Sequence, residues 1–141
     1  LSGADAFVAQ ARAMLGVKWR HRGRKPWAVD CLGLVFVAGR AAGLETGEDP
    51  TKYGREPWED RLYRGCVERF GEPVPLEQAR AGDVALFRLG TTDPSHIGVL
   101  GDHPTGGLTL IHAHNLLGVV ECSLRGEYLR AVVAVFRTRF R

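Results

Sequence analysis

Two short stretches of this chain carry side chains that together can cleave an amide: Asp30-Cys31-Leu32-Gly33-Leu34-Val35 in the first half and Ser95-His96-Ile97-Gly98-Val99 in the second. A thiol attacks a carbonyl only as thiolate, so it needs an imidazole within reach to take its proton and a setting that favours the charge. Asp30 has the side chain of a helix N-cap, and Cys31–Ala42 is apolar enough to be a buried helix that stops at Gly43. The expectation is a sulfur at the exposed tip of that helix, its pKa lowered by the unpaired N–H groups and positive dipole end. His96, at the start of a β-rich run, is the expected general base.

An imidazole acting as a base needs a third polar group to hold its ring. Leu110-Ile111-His112-Ala113-His114 offers two candidates, since residues 112 and 114 of a strand face the same side. His112 is preferred on spacing, because His114 lies farther along and nearer the next turn. The turn-rich segment Asp102–Gly107 predicts a hairpin that brings His96 close to His112.

The positioning elements follow from periodicity. Residues 2–15 place Phe7, Val8, Ala11, Met14 and Leu15 on one helical face, with Ser2 and Asp5 spaced as a capping box and Gly16 as the stop. Residues 17–30 read as a loop carrying Lys18, Arg20, His21, Arg22, Arg24 and Lys25 between Trp19 and Trp27. A third helix is expected over 58–70, with Trp58, Leu62, Cys66, Val67 and Phe70 on its apolar stripe. Beyond Pro73 the period shortens to that of strands at 84–87, 96–100, 108–114, 119–122 and 131–136. Helices first and strands second give an α+β domain with an antiparallel sheet of about five strands.

Composition bounds the function. A chain of 141 residues with 45% hydrophobic and 25% charged residues matches one globular domain, residues 1–141, with a single core. No apolar run is long enough to span a bilayer, so membrane insertion is not expected, and Leu1-Ser2-Gly3-Ala4-Asp5 does not read as a signal peptide. Three cysteines without a CxxC pair do not form a disulfide framework, which predicts reduced thiols. Cys66 and Cys122 fit apolar stripes and read as packing residues. His21 and His103 fall in polar loops and read as solvated.

The basic loop, flanked by tryptophans, has the make-up of a single-strand nucleic-acid contact, but a net charge of +3 with abundant acids elsewhere argues against nucleic acid. It is better read as a cationic rim beside the thiol, favouring thiolate and attracting carboxylates. The rim and cleft residues expected to touch substrate are Trp19, Arg20, Arg22, Ser95 and His114. Cys31, His96, His112 and His114 also have zinc-ligand chemistry, but three separated segments would have to converge with no chelating pair at the Cys, so neither a metal nor any cofactor is expected.

In order and spacing, Asp30-Cys31-Leu32-Gly33-Leu34-Val35, Ala81-Gly82-Asp83-Val84-Ala85-Leu86-Phe87, His96-Ile97-Gly98-Val99 and Ile111-His112-Ala113 resemble the NlpC/P60 cysteine peptidases over roughly residues 4–136. The resemblance implies a papain-like fold with the Cys-bearing helix packed on a small antiparallel sheet. It also implies hydrolysis of amide bonds in peptidoglycan stem peptides, with Cys31 as nucleophile, His96 as base and His112 as the third residue. Two departures stand out. Leu32 replaces the Ser usual after the nucleophile in cell-wall members and looks more like members encoded among tail genes of phages and gene-transfer agents. That implies a virion tail made in the host cytoplasm, with tail-hub or tail-tip proteins as partners, the bacterial cell envelope being the alternative setting. Trp19 stands where the family often carries a Tyr that assists the oxyanion site. The competing expectation is a structural tail-tip module with little or no hydrolysis.

Overall fold

A computed structural model describes residues 2–54 and 60–141. α1 (Gly3–Ala13) is closed at its start by the expected capping box, with Ser2 Oγ accepting from the Asp5 N–H and Asp5 reaching back to the Ser2 N–H. Phe7, Val8 and Ala11 form its buried face against α2 (Cys31–Ala42). α2 begins at Asp30 and ends at Gly43, whose φ of 81° is the left-handed conformation that glycine takes without steric penalty. Almost every residue from Leu32 to Gly39 is buried, as expected of a helix apolar on all sides. α3 spans Arg61–Phe70 and buries Leu62, Cys66 and Phe70; Trp58, expected on its stripe, lies outside the described residues.

β4 (Val84–Phe87), β5 (His96–Asp102), β6 (Leu108–His114), β7 (Gly118–Ser123) and β8 (Val132–Phe136) form an antiparallel sheet in the order β7-β6-β5-β4-β8. Strand alternation sorts it into two faces. Val84, Leu86, Ile97, Val99, Ile111 and Ala113 join the core with the helices, while Ala85, Phe87, Leu100, Leu110 and Val135 pack in a second cluster on the far side. The second cluster is covered partly by Tyr128 of α4 (Gly126–Ala131). This helix was not evident in the sequence because six residues are too few to display a 3.6-residue period. The α+β class and the five-stranded sheet stand as expected.

Residues 17–30 depart from the expected loop. Lys18–Trp19 (β1), Arg24–Lys25 (β2) and Ala28–Val29 (β3) make a small sheet ordered β1-β3-β2, with β1 parallel and β2 antiparallel to β3. Two-residue strands show no alternation, so their pairing cannot be read from the sequence. The basic run is also not a cationic rim throughout. Arg24 is folded inward, its side chain only 13% exposed, between Asp30 and Asp49.

Candidate active site

The nucleophile candidate is placed by one carboxylate. Asp30, 4% exposed, accepts from the Gly33 N–H at 2.8 Å and Arg24 Nη1 at 3.1 Å through Oδ1. Through Oδ2 it accepts from the Arg22 N–H at 2.8 Å and the Tyr53 hydroxyl at 2.5 Å. Arg22 sits at φ 58°, the only non-glycine residue of positive φ among those described, and so turns its N–H onto this carboxylate. Arg24 continues to Asp49 through Nε at 2.9 Å. The helix cap is thus one corner of a buried network that joins α2, the 20–24 turn and the 49–53 segment. Gly33 is required by the same packing: a Cβ there would lie 1.9 Å from the Gly23 carbonyl oxygen.

Half-buried Cys31, the first residue of α2, faces a cleft also lined by Trp19, His21, Tyr53, Ser95, His96, His112, His114 and Tyr128. The backbone N–H groups of Ile97 and Leu32 act on its sulfur, which puts Sγ one residue from His96 along β5. Among the described residues Cys31 and His96 make no hydrogen bond. Alternation along β5 separates their surroundings: Ile97 points to the helices, whereas His96 points to the other face beside Phe87, with ring centroids 6.0 Å apart, and both Cys31 and His96 line the cleft.

The hairpin places the imidazoles as expected. His96 Nε2 lies 2.8 Å from His112 Nδ1, with ring centroids 5.0 Å apart at 82°. His112, 2% exposed, is held on its other side by Tyr128, centroids 5.0 Å apart. With Nε2 engaged, His96 retains Nδ1 as the nitrogen free to take a proton. A base at that nitrogen would require one arrangement: His96 Nε2–H donating to His112 Nδ1, with the His112 proton on Nε2. His114 is farther out, 6.3 Å from His112, and its Nδ1 accepts the backbone N–H groups of Leu116 and Leu117, so its neutral ring carries the proton on Nε2.

Charge within the cleft differs from the expectation. Burial, and then the Asp30 carboxylate, push the Cys31 thiol up to about 12, outweighing the backbone N–H groups of Ile97 and Leu32 and the charge of Arg24. Burial and then the neighbouring rings hold His96 down to about 3, and burial and then His114 hold His112 down to about 4. The resting pair is therefore neutral thiol and neutral imidazole, not thiolate and imidazolium. Desolvation penalises both charges more than the helix terminus rewards one.

Of the five expected substrate contacts, Trp19, Ser95 and His114 line the cleft. Arg20 and Arg22 do not: both are exposed, and the turn commits the Arg22 backbone to Asp30 and leaves its side chain outside the cleft. His21 is not solvated as expected, because it stacks on Trp19 at 6.4 Å and meets Tyr53 edge-on at 5.6 Å. Tyr53 and Tyr128 had no periodic or motif signal to mark them, since only the tertiary fold brings their segments to the cleft. Cys66 is buried in the helical core as expected. Among the described residues no three His, Cys, Asp or Glu side chains converge as a metal ion would need.

A sequence profile of the NlpC/P60 family matches residues 16–138. Among curated proteins none matches the chain in sequence. A similar solved structure is an NlpC/P60 family protein from Bacillus cereus, 17% identical with a TM-score of 0.69, covering 95% of this chain and 39% of that protein. The NlpC/p60 domain of the peptidoglycan hydrolase SagA is 22% identical with a TM-score of 0.61, covering 97% of this chain and 99% of that one. An N-acetylmuramoyl-L-alanine amidase from Bacteroides uniformis is 12% identical with a TM-score of 0.56, each chain covered to 99%. This chain thus spans about two fifths of the length of the Bacillus protein and all but the whole of the other two. At these identities the likeness is one of fold, and the profile across most of the sequence decides descent: the chain belongs to the NlpC/P60 family.

Proposed function

We propose that this chain is a cysteine peptidase that hydrolyses amide bonds in peptidoglycan stem peptides. The observation that carries the reading is that Cys31, at the first turn of α2, and the hydrogen-bonded His96–His112 pair line one open cleft. Family membership, together with the likeness to the peptidoglycan hydrolase SagA and to the Bacteroides N-acetylmuramoyl-L-alanine amidase, supports the choice of cell-wall material as substrate.

The chemistry starts from neutral partners. In this cycle the thiol must come within hydrogen-bond reach of His96 Nδ1 in the substrate complex. His96 takes the thiol proton as sulfur bonds to the carbonyl carbon, and the oxygen's developing charge falls by the Cys31 backbone N–H at the helix start. The imidazolium keeps its Nε2–H on His112 Nδ1, so His112 supports the charge without receiving the proton. The tetrahedral adduct collapses, the C–N bond breaks, and His96 gives its proton to the departing amine. Water, deprotonated by the same imidazole, then cleaves the thioester and restores the thiol. The biological setting we infer is a phage-like tail, supported by Leu32 after the nucleophile, which resembles the tail-encoded members. Exposing the chain to defined muropeptides and weighing the fragments tests the reading. Cleavage that disappears in Cys31→Ala is expected, and cleavage that persists in that variant, or none by the intact chain, contradicts it. In particles, Cys31→Ala tails that assemble but fail to breach the wall fit the tail assignment.

A further inference from the structure

Behind the cleft, between α2 and α3, lies a second cavity of about 330 Å³, within the size range of small-ligand sites. Its floor is apolar, made by Val35, Phe36, Leu62 and Phe70 among others. Its rim is cationic: among the described residues Lys52, Arg61, Arg64 and Arg69 line it, with Glu68 as the one acid. None of these four cations takes part in an ion pair among the described residues. Arg69 is half-buried; it donates to the carbonyls of Gly65 and Glu48, and its buried Nε has no hydrogen-bond partner among the described residues. A guanidinium that donates to carbonyls, lies over the Phe36 ring and buries its Nε has, among the described residues, no anion to compensate its desolvation.

The opening of this cavity has its own explanation in the sequence. Gly65 lies inside α3, where glycine weakens a helix relative to alanine, and it lines the cavity. Its φ is not positive, and among the described residues a Cβ there would meet nothing nearer than Arg69 Nη1 at 3.1 Å, the far end of a long side chain. No turn or backbone approach requires glycine here. What the missing side chain leaves is space.

We propose that the α2–α3 cavity binds a single-tailed anionic amphiphile, with its hydrocarbon tail on the apolar floor and its head group among the arginines of the rim. Apolar walls suit the tail because they bury it from water. The unpaired rim cations select an anionic head over a neutral or cationic one. The site is distinct from the thiol cleft, although Leu32, Tyr53 and Leu62 form a shared wall, and it does not rest on the hydrolytic reading.

Calorimetric titration of the whole chain with sodium decanoate, below its micelle concentration, tests this directly. Decyltrimethylammonium, of equal tail length and opposite charge, is the control. Saturable one-to-one binding is expected, with decanoate at least about tenfold tighter than the cation. Gly65→Leu fills the space and should weaken decanoate by about tenfold or more. Exposed Arg61 and Arg64, replaced together by Ala, should bring decanoate down to the level of the control, and this pair carries the test should Gly65→Leu fail to fold. Equal binding of both tails, no saturable decanoate binding, or unchanged affinity in folded Gly65→Leu overturns the proposal. Each readout is binding, so its failure leaves the hydrolytic reading standing.

Discussion

Asp30 is the residue on which the geometry of the thiol depends, and its removal has a calculable consequence. Its four hydrogen bonds cap α2, pin the Arg22 turn, hold Tyr53 and pair with buried Arg24. In Asp30→Ala the lost N-cap costs about 1 kcal/mol. Breaking a buried ion pair costs about 3–5 kcal/mol, toward the lower end here because Asp49 still holds Arg24. The terms overlap, since one carboxylate serves both, so a loss of about 3–5 kcal/mol is expected from a domain whose total stability is of order 5–15 kcal/mol. That corresponds to roughly 10–15 °C in melting temperature. Asp30→Asn keeps an oxygen for Gly33 and Arg24 but sets an amide N–H against the Arg22 N–H, for a loss of about 1–3 kcal/mol. Tyr53→Phe, which removes one bond to the carboxylate, should cost least. Urea denaturation at unchanged m-value measures all three. An unfolding free energy for Asp30→Ala within about 0.5 kcal/mol of the parent, or Asn more damaging than Ala, would refute the assignment of Asp30 as the hub.

Gly33→Ala places a methyl 1.9 Å from the Gly23 carbonyl oxygen, so it should destabilise by at least about 1–3 kcal/mol and reduce cleavage beyond the loss of folded protein, as judged by activity per native molecule. His112→Ala leaves His96 in place but frees its ring, and kcat/KM for muropeptides is expected to fall by about 10²–10⁴ with little change in KM. Acid should destabilise the fold: His96 and His112 are held near 3 and 4, below the unfolded value near 6.5, so the unfolded chain takes up protons first. Stability from this source is full above about pH 6.5 and declines toward pH 4, and a melting temperature unchanged across that window contradicts the burial of the pair.

Much of the scaffold was legible because local rules and the fold agree. Ser2 with Asp5, and Asp30 with Gly43, announced the ends of α1 and α2 through capping chemistry that depends on neighbours in sequence. The hairpin between β5 and β6 followed from turn residues, and it carried the pairing of His96 with His112. What stayed hidden depends on distant segments. Lys18 to Lys25 reads as a cationic rim beside the thiol, yet Arg24 is turned inward onto carboxylates that arrive from residues 30 and 49. Burial also opposes the ionisation expected at Cys31, because a helix terminus is visible in sequence whereas the desolvation acting against it is a property of the packed cleft. Tyr128 reaches His112 from a six-residue helix with no period of its own.

Covalent capture on Cys31 bears most directly on the proposed chemistry. The intact mass of the protein is followed during turnover of a muropeptide, with the reaction quenched in acid to preserve a thioester. One acyl adduct per chain, mapped to Cys31 and missing in His96→Ala, is the expected result. Hydrolysis that proceeds with no adduct on Cys31, or an adduct whose formation is indifferent to His96, would contradict a thiol activated by that imidazole.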